Sequence, residues 1–142
     1  TGTLQTNKVK ASLGIFDVFQ TLDREKHVRE YLKHKNIVKR KKFFVQINIG
    51  KENIKRGIMP EELLEFVNYC INDCSMRVIG LMCIPPQYES PKPFFALLKK
   101  IAQKANVANL SMGMSEDYEK AISFGATYIR VGTAIFGERL EK

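Results

Sequence analysis

The sequence predicts an α/β chain built on a parallel sheet, either doubly wound or most of an eight-stranded (β/α) barrel of the TIM type. Three observations point there. Short apolar strands alternate with amphipathic helical stretches along all 142 residues. The connections between strands run to about a dozen residues or more, too long for hairpins, so neighbouring strands must lie parallel. Two strands also carry polar side chains on one face near their C-terminal ends, the face that lines a barrel interior.

Taken in order, Thr6 or Asn7 can cap a first helix with Val9, Leu13 and Phe16 on one side. Residues 18–22 read as a strand, and Asp23 then caps a helix carrying Val28, Tyr31 and Leu32. Phe43 to Ile49 is the clearest strand. Pro60-Glu61-Glu62 opens the next helix, a proline followed by acids in the first turn. Its apolar face is Leu63, Leu64, Phe66, Val67, Cys70 and Ile71. Met76 to Ile84 is a strand closed by Pro85-Pro86, and Ser90-Pro91 starts a helix with Phe94, Phe95, Leu97, Leu98 and Ile101 inward. Leu110 to Met114 is a strand, Ser115 caps a helix that ends at Gly125, and Tyr128 to Val131 is the last strand. With a strand end before the first helix, six strands are expected, in one domain without an internal linker.

Composition narrows the function classes. With 44% hydrophobic residues the chain is neither disordered nor fibrous and can bury one core. No apolar run approaches the ~18–20 residues of a membrane span, and no signal peptide opens the chain. Cys70, Cys74 and Cys83 stand at no metal or redox spacing and have only His27 and His34 for company. They read as reduced thiols of a cytoplasmic protein, without a disulfide scaffold or metal site. The net charge of +8 is local, because residues 33–42 read KHKNIVKRKK, six cations and no acid. That run has no aromatic side chain to stack on bases and abuts a strand, so it reads as a solvated face rather than a nucleic-acid or membrane contact.

In FFVQINIG, Phe44, Gln46 and Asn48 share one face; in YIRVG, Tyr128, Arg130 and Gly132 do. Helices would cover the aliphatic faces, leaving Gln46, Asn48 and Arg130 inside, where a guanidinium is costly without partners. Gln46 and Asn48 either line the mouth or bond within the interior. Ser111-Met112-Gly113-Met114-Ser115 and Arg130 to Gly137 are consecutive strand-to-loop passages, so their C-terminal ends are neighbours. Such loops late in a barrel commonly hold phosphate through backbone N–H groups and a helix start. The Ser115 and Thr133 hydroxyls with the N–H groups of Gly132 and Thr133 are the candidate donors; a Cβ at Gly132 would block the approach. The alternative is that Ser115 is only an N-cap and Gly132 only a bend. Glu116 and Asp117 would repel a phosphate unless their side chains turn away.

The string LSMGMSEDYEKAISFGATYIRVGTAIFGER resembles the C-terminal signature of the pyridoxal-phosphate homeostasis proteins, which share the alanine-racemase-type barrel. GTLQTNK, FFVQINIGKENIKRGI and VIGLMCIPP extend the likeness across residues 2–139. The resemblance implies a protein that binds pyridoxal 5′-phosphate (PLP) as a Schiff base and buffers or delivers it, with no established turnover. It places the phosphate at Ser115, Gly132 and Thr133 and sets Arg130 against the pyridine nitrogen, with Ser111 and Met114 in the same motif. A guanidinium there disfavours a protonated ring, which suits a carrier, or at most racemase-like activity, better than a transaminase. A PLP-dependent racemase-like enzyme, or another barrel enzyme for phosphorylated ligands, is the alternative.

The resemblance also implies that the Schiff-base lysine lies upstream of GTLQTNK; Lys8, inside that motif, is not that lysine. The chain opens at Thr1 rather than Met. It is therefore expected to be the C-terminal part, about strands 3–8, of a single PLP-binding barrel domain. The expected partners are PLP, a separate N-terminal segment of the barrel or a second copy at the open sheet edges, and PLP-dependent apo-enzymes.

Overall fold

The structure, a computed structural model, describes residues 2, 4–52 and 55–138. A short 3-10 turn at Thr6–Lys8 leads into α1 (Val9–Ile15), followed by β1 (Val18–Leu22), α2 (Glu25–Leu32), α3 (Lys35–Val38) and β2 (Lys42–Ile47). Then come α4 (Leu63–Asn68), running into a π-helical turn at Tyr69–Asp73, and β3 (Val78–Cys83). The chain continues with α5 (Pro91–Lys104), β4 (Asn109–Met114), α6 (Tyr118–Ser123), β5 (Tyr128–Arg130) and α7 (Thr133–Phe136). Five strands pair in sequential order, every pair parallel. The strand end expected near the N-terminus falls on a stretch of which Thr1 and Thr3 lie outside the described residues; Leu4 and Gln5 are irregular.

The sheet is an arc, not a plane. Strands in a flat sheet sit about 4.8 Å apart, so β1 and β4 would be roughly 14 Å apart. Yet Ser111 Oγ on β4 donates to Gln20 Oε1 on β1 at 2.7 Å. Likewise the rings of Phe44 on β2 and Tyr128 on β5 meet edge to face at 4.9 Å. Only a curled sheet brings these side chains together over its concave face, as in part of a barrel wall.

The two faces bury different things. Helices cover the convex face, where Val28, Phe43, Val45, Leu63, Leu81, Phe95, Leu98 and Met112 form one cluster. Phe19, Tyr31 and Phe43 pack there with centroids 5.0–5.4 Å apart. Phe44 and Met82, equally buried, stand on the concave face outside that cluster. Gly80 sits between them because an added Cβ would lie 2.1 Å from the carbonyl oxygen of Asn109 and 2.7 Å from the Phe44 ring.

Several helix readings need correction. Phe16 is not on the buried face of α1; the helix stops before it and the ring is 54% exposed. Pro60 to Glu62 form a turn, and α4 begins only at Leu63. Leu64, Ile71 and Leu97 face outward, since each helix needs only the stripe that meets the sheet. The basic run is partly helical, forming α3, and two of its lysines are paired, Lys33 with Glu30 and Lys41 with Asp17.

Asp23 does not cap α2 either; Arg24 holds that position. The buried Asp23 carboxylate accepts from Arg24 Nε and Nη2 at 3.1 and 2.8 Å and lies 2.8 Å from His27 Nδ1. Burial pushes the His27 imidazole below its ordinary value of 6.5, outweighing the attraction of Asp23. The unfolded chain then binds this proton more readily than the folded one. Stability from His27 is therefore fully present above about pH 6.5 and declines as pH falls below it. Thermal melts between about pH 5 and 8 should show that component vanish in His27→Gln; an unchanged pH dependence would contradict it.

Candidate functional site

The C-terminal ends of β3, β4 and β5 open into a cleft of about 560 Å³ whose lining includes Met114, Ser115, Arg130, Gly132 and Thr133. Five of the six candidate residues thus converge, from segments separated by α6. The sixth, Ser111, is wholly buried and stands behind Arg130 rather than in the cleft wall.

Arg130 reaches the cleft from the concave face. Its Nη1 donates to Ser111 Oγ at 2.8 Å and its Nη2 to the carbonyl oxygen of Cys83 at 2.9 Å. Among the described residues no carboxylate lies within 4.0 Å of the guanidinium. Burial lowers its pKa from the ordinary value, while Asp117 farther off raises it; a guanidinium nonetheless stays charged in proteins. A cation held by neutral dipoles keeps its field for an incoming anion.

Ser115 does not cap α6, whose N-cap residue is Asp117. Its Oγ accepts instead from the N–H groups of Gly132 and Ala134, at 3.2 and 3.3 Å, tying the β4 loop to the β5 loop. Among the described residues its own proton has no acceptor, so it is free to donate into the cleft. The Asp117 carboxylate is engaged, Oδ1 accepting from the Met114 N–H at 2.7 Å. Asp117 and Glu116 nonetheless both line the cleft, so the repulsion their place in the sequence raises stays beside the Arg130 cation. Gly132 shows no internal need for glycine: a Cβ there would meet nothing within 4 Å. The missing side chain leaves space at the start of α7.

Gln46 and Asn48 tie down the loop after β2. Gln46 Nε2 donates to the Arg56 carbonyl at 3.3 Å, and Asn48 exchanges bonds with the Glu52 backbone at 2.8 and 3.1 Å. This loop delivers a residue that strand patterns did not single out. Lys55 enters the cleft wall, its Nζ 3.1 Å from the Pro85 carbonyl and 2.8 Å from Glu52 Oε1. Its signals were a place after a strand's C-terminal end, where barrel chemistry gathers, and membership of the FFVQINIGKENIKRGI segment. Lys8 is exposed in the 3-10 turn. Burial pushes the Cys70 and Cys83 thiols up to about 12, which keeps them protonated and inert. Among the described residues no His, Cys, Asp and Glu group is arranged for a metal, and no helix is long and apolar enough to cross a membrane.

Comparison with known proteins agrees with this architecture. The chain is 41% identical over 150 residues to the pyridoxal phosphate homeostasis protein of Aquifex aeolicus, which covers 97% of this chain and 65% of the relative. It is 33% identical over 156 residues to the human protein of that name, covering 97% and 57%. The chain thus spans somewhat less than two thirds of such relatives. The solved structure of PipY from Synechococcus elongatus with PLP bound superposes with a TM-score of 0.84 at 28% identity, covering 96% of this chain and 68% of PipY. The family described as alanine racemase, N-terminal domain, matches residues 2–140. A match of that extent, on a curled parallel sheet with its loops gathered at the C-terminal strand ends, makes the chain a member of the alanine racemase N-terminal domain family.

Proposed function

We propose that this chain supplies the phosphate- and ring-facing wall of a barrel that binds PLP and serves its homeostasis as carrier or buffer, without turnover. One observation carries the reading: Ser115, Arg130, Gly132 and Thr133 line a single cleft. Its fit to the cofactor is chemical. The Gly132 and Ala134 N–H groups are held near the long end of hydrogen-bond range by a neutral hydroxyl, and an anionic oxygen is the stronger acceptor. The Ser115 and Thr133 hydroxyls donate to the same anion, and the open side of Gly132 admits it.

When bound, PLP supplies an aldehyde that captures amines and a ring that can accept electrons. Arg130 limits the second property. Its guanidinium donates and does not give up a proton, so a ring nitrogen facing it stays unprotonated and the ring is a poor electron sink. The relatives' printed name and the PLP in PipY support PLP as the ligand.

Titration of the full protein with PLP, followed by absorbance, tests this reading. Thr133→Val should weaken binding by about 1–2 kcal/mol, the cost of leaving an anion short of one donor. An unchanged affinity would remove Thr133 from the site. Added alanine should show no exchange of its α-proton with D2O; steady exchange would favour the racemase-like alternative.

A further inference from the structure

Gln20 belongs to no motif and lies outside the cleft lining, yet it ends the hydrogen-bond chain that holds Arg130. It projects from β1 into the barrel interior, 91 positions from Ser111 in sequence. Its carboxamide Oε1 accepts the Ser111 proton at 2.7 Å. A serine hydroxyl has one proton, so committing it to Gln20 leaves only lone pairs to face Arg130. Nη1 of Arg130 then donates to that oxygen at 2.8 Å, and the Cys83 carbonyl fixes the other arm of the fork.

We propose that Gln20 is a positioning residue for the cofactor site: it sets the direction of the Ser111 hydroxyl and thereby the orientation of the Arg130 guanidinium. The proposal rests on the PLP reading only for its consequence in binding; the orientation itself is a property of this chain. The chemistry also favours an amide over an acid at this place. A carboxylate would accept the same proton but would put a negative charge one hydroxyl away from Arg130, drawing on the field that an anionic ligand needs. An apolar residue would leave the wholly buried Ser111 hydroxyl without its acceptor and free to turn its proton toward Arg130.

The test uses nitrogen NMR of the Arg130 side chain together with ligand titration, on the full protein as wild type, Gln20→Met, Gln20→Glu and Ser111→Ala. In the wild type the two Nη positions should give distinct signals, because the fork is held at both ends. In Gln20→Met only the Cys83 end stays fixed, so the two signals should broaden and draw together, and the Kd for PLP should rise about tenfold. Inorganic phosphate should bind unchanged, since its donors are Ser115, Gly132 and Thr133. Gln20→Glu should keep the signals distinct while still weakening PLP. Adding Gln20→Met to Ser111→Ala should have no further effect, which a merely structural role for Gln20 would not produce.

Distinct Nη signals and unchanged PLP affinity in Gln20→Met would overturn the proposal, as would additive losses in the double variant. Should wild-type protein fail to bind PLP, the functional reading falls, while the nitrogen signals still decide whether Gln20 orients Arg130.

Discussion

Gly80→Ala is expected to destabilise the protein by about 3 kcal/mol or more, the upper range for forced overpacking. The added Cβ would lie 2.1 Å from the carbonyl oxygen of Asn109 and 2.7 Å from its carbonyl carbon. Both are backbone atoms of the strand paired with Gly80, so no rotamer change relieves the clash. On the same side it meets the Phe44 ring at 2.7 Å, which is itself pinned against Tyr128. β3 and β4 would have to separate, which breaks their ladder and tilts Ser111 away from Gln20. Thermal denaturation should show a drop in Tm of about 10 °C. A variant melting within a degree or two of the parent would mean that the curled sheet is not packed as described. Gly132→Ala is the contrasting case: its Cβ points into open space, so stability should hold while PLP affinity falls.

Arg130→Met should lower PLP affinity by about 2–3 kcal/mol, roughly thirtyfold to 150-fold, from the loss of a charge-assisted contact. Methionine has similar length and is apolar, so the interior stays filled. The Ser111 hydroxyl and the Cys83 carbonyl lose their shared donor, so the melting temperature should be recorded beside the Kd to separate the two effects. Arg130→Lys should fall between the two, because it keeps the charge but not the fork that reaches both acceptors. Equal PLP affinity in wild type and Arg130→Met, with both folded, would remove the arginine from the proposed cofactor site and with it the proposed limit on the ring as an electron sink.

Much of this architecture was legible in the residues. Strands at 18–22, 42–47, 78–83, 109–114 and 128–130 fall where alternating or continuous apolar runs end at turn residues. Their parallel pairing follows from the length of the connections. The helix starts were less legible. Asp23 and Ser115 are good cap residues by type, but stronger partners took them: Arg24 and His27 for Asp23, and the Gly132 and Ala134 N–H groups for Ser115. Local preference lost to a tertiary hydrogen bond in both cases.

The sequence by itself determined which residues could serve the site and that their strand ends would be neighbours. Strand periodicity of two put Arg130 inside, and the order of β4 and β5 put Ser115 beside Gly132. Only the tertiary structure decided how those groups are held. The curl of the sheet set Gln20 against Ser111 across four strands, and gave the half-buried arginine a hydroxyl and a carbonyl instead of a carboxylate. The physical reason is reach. Periodicity and capping act over a few residues, whereas the partner of a side chain pointing into a curved interior depends on how far the sheet bends. That bend is the summed outcome of every packed pair on its two faces.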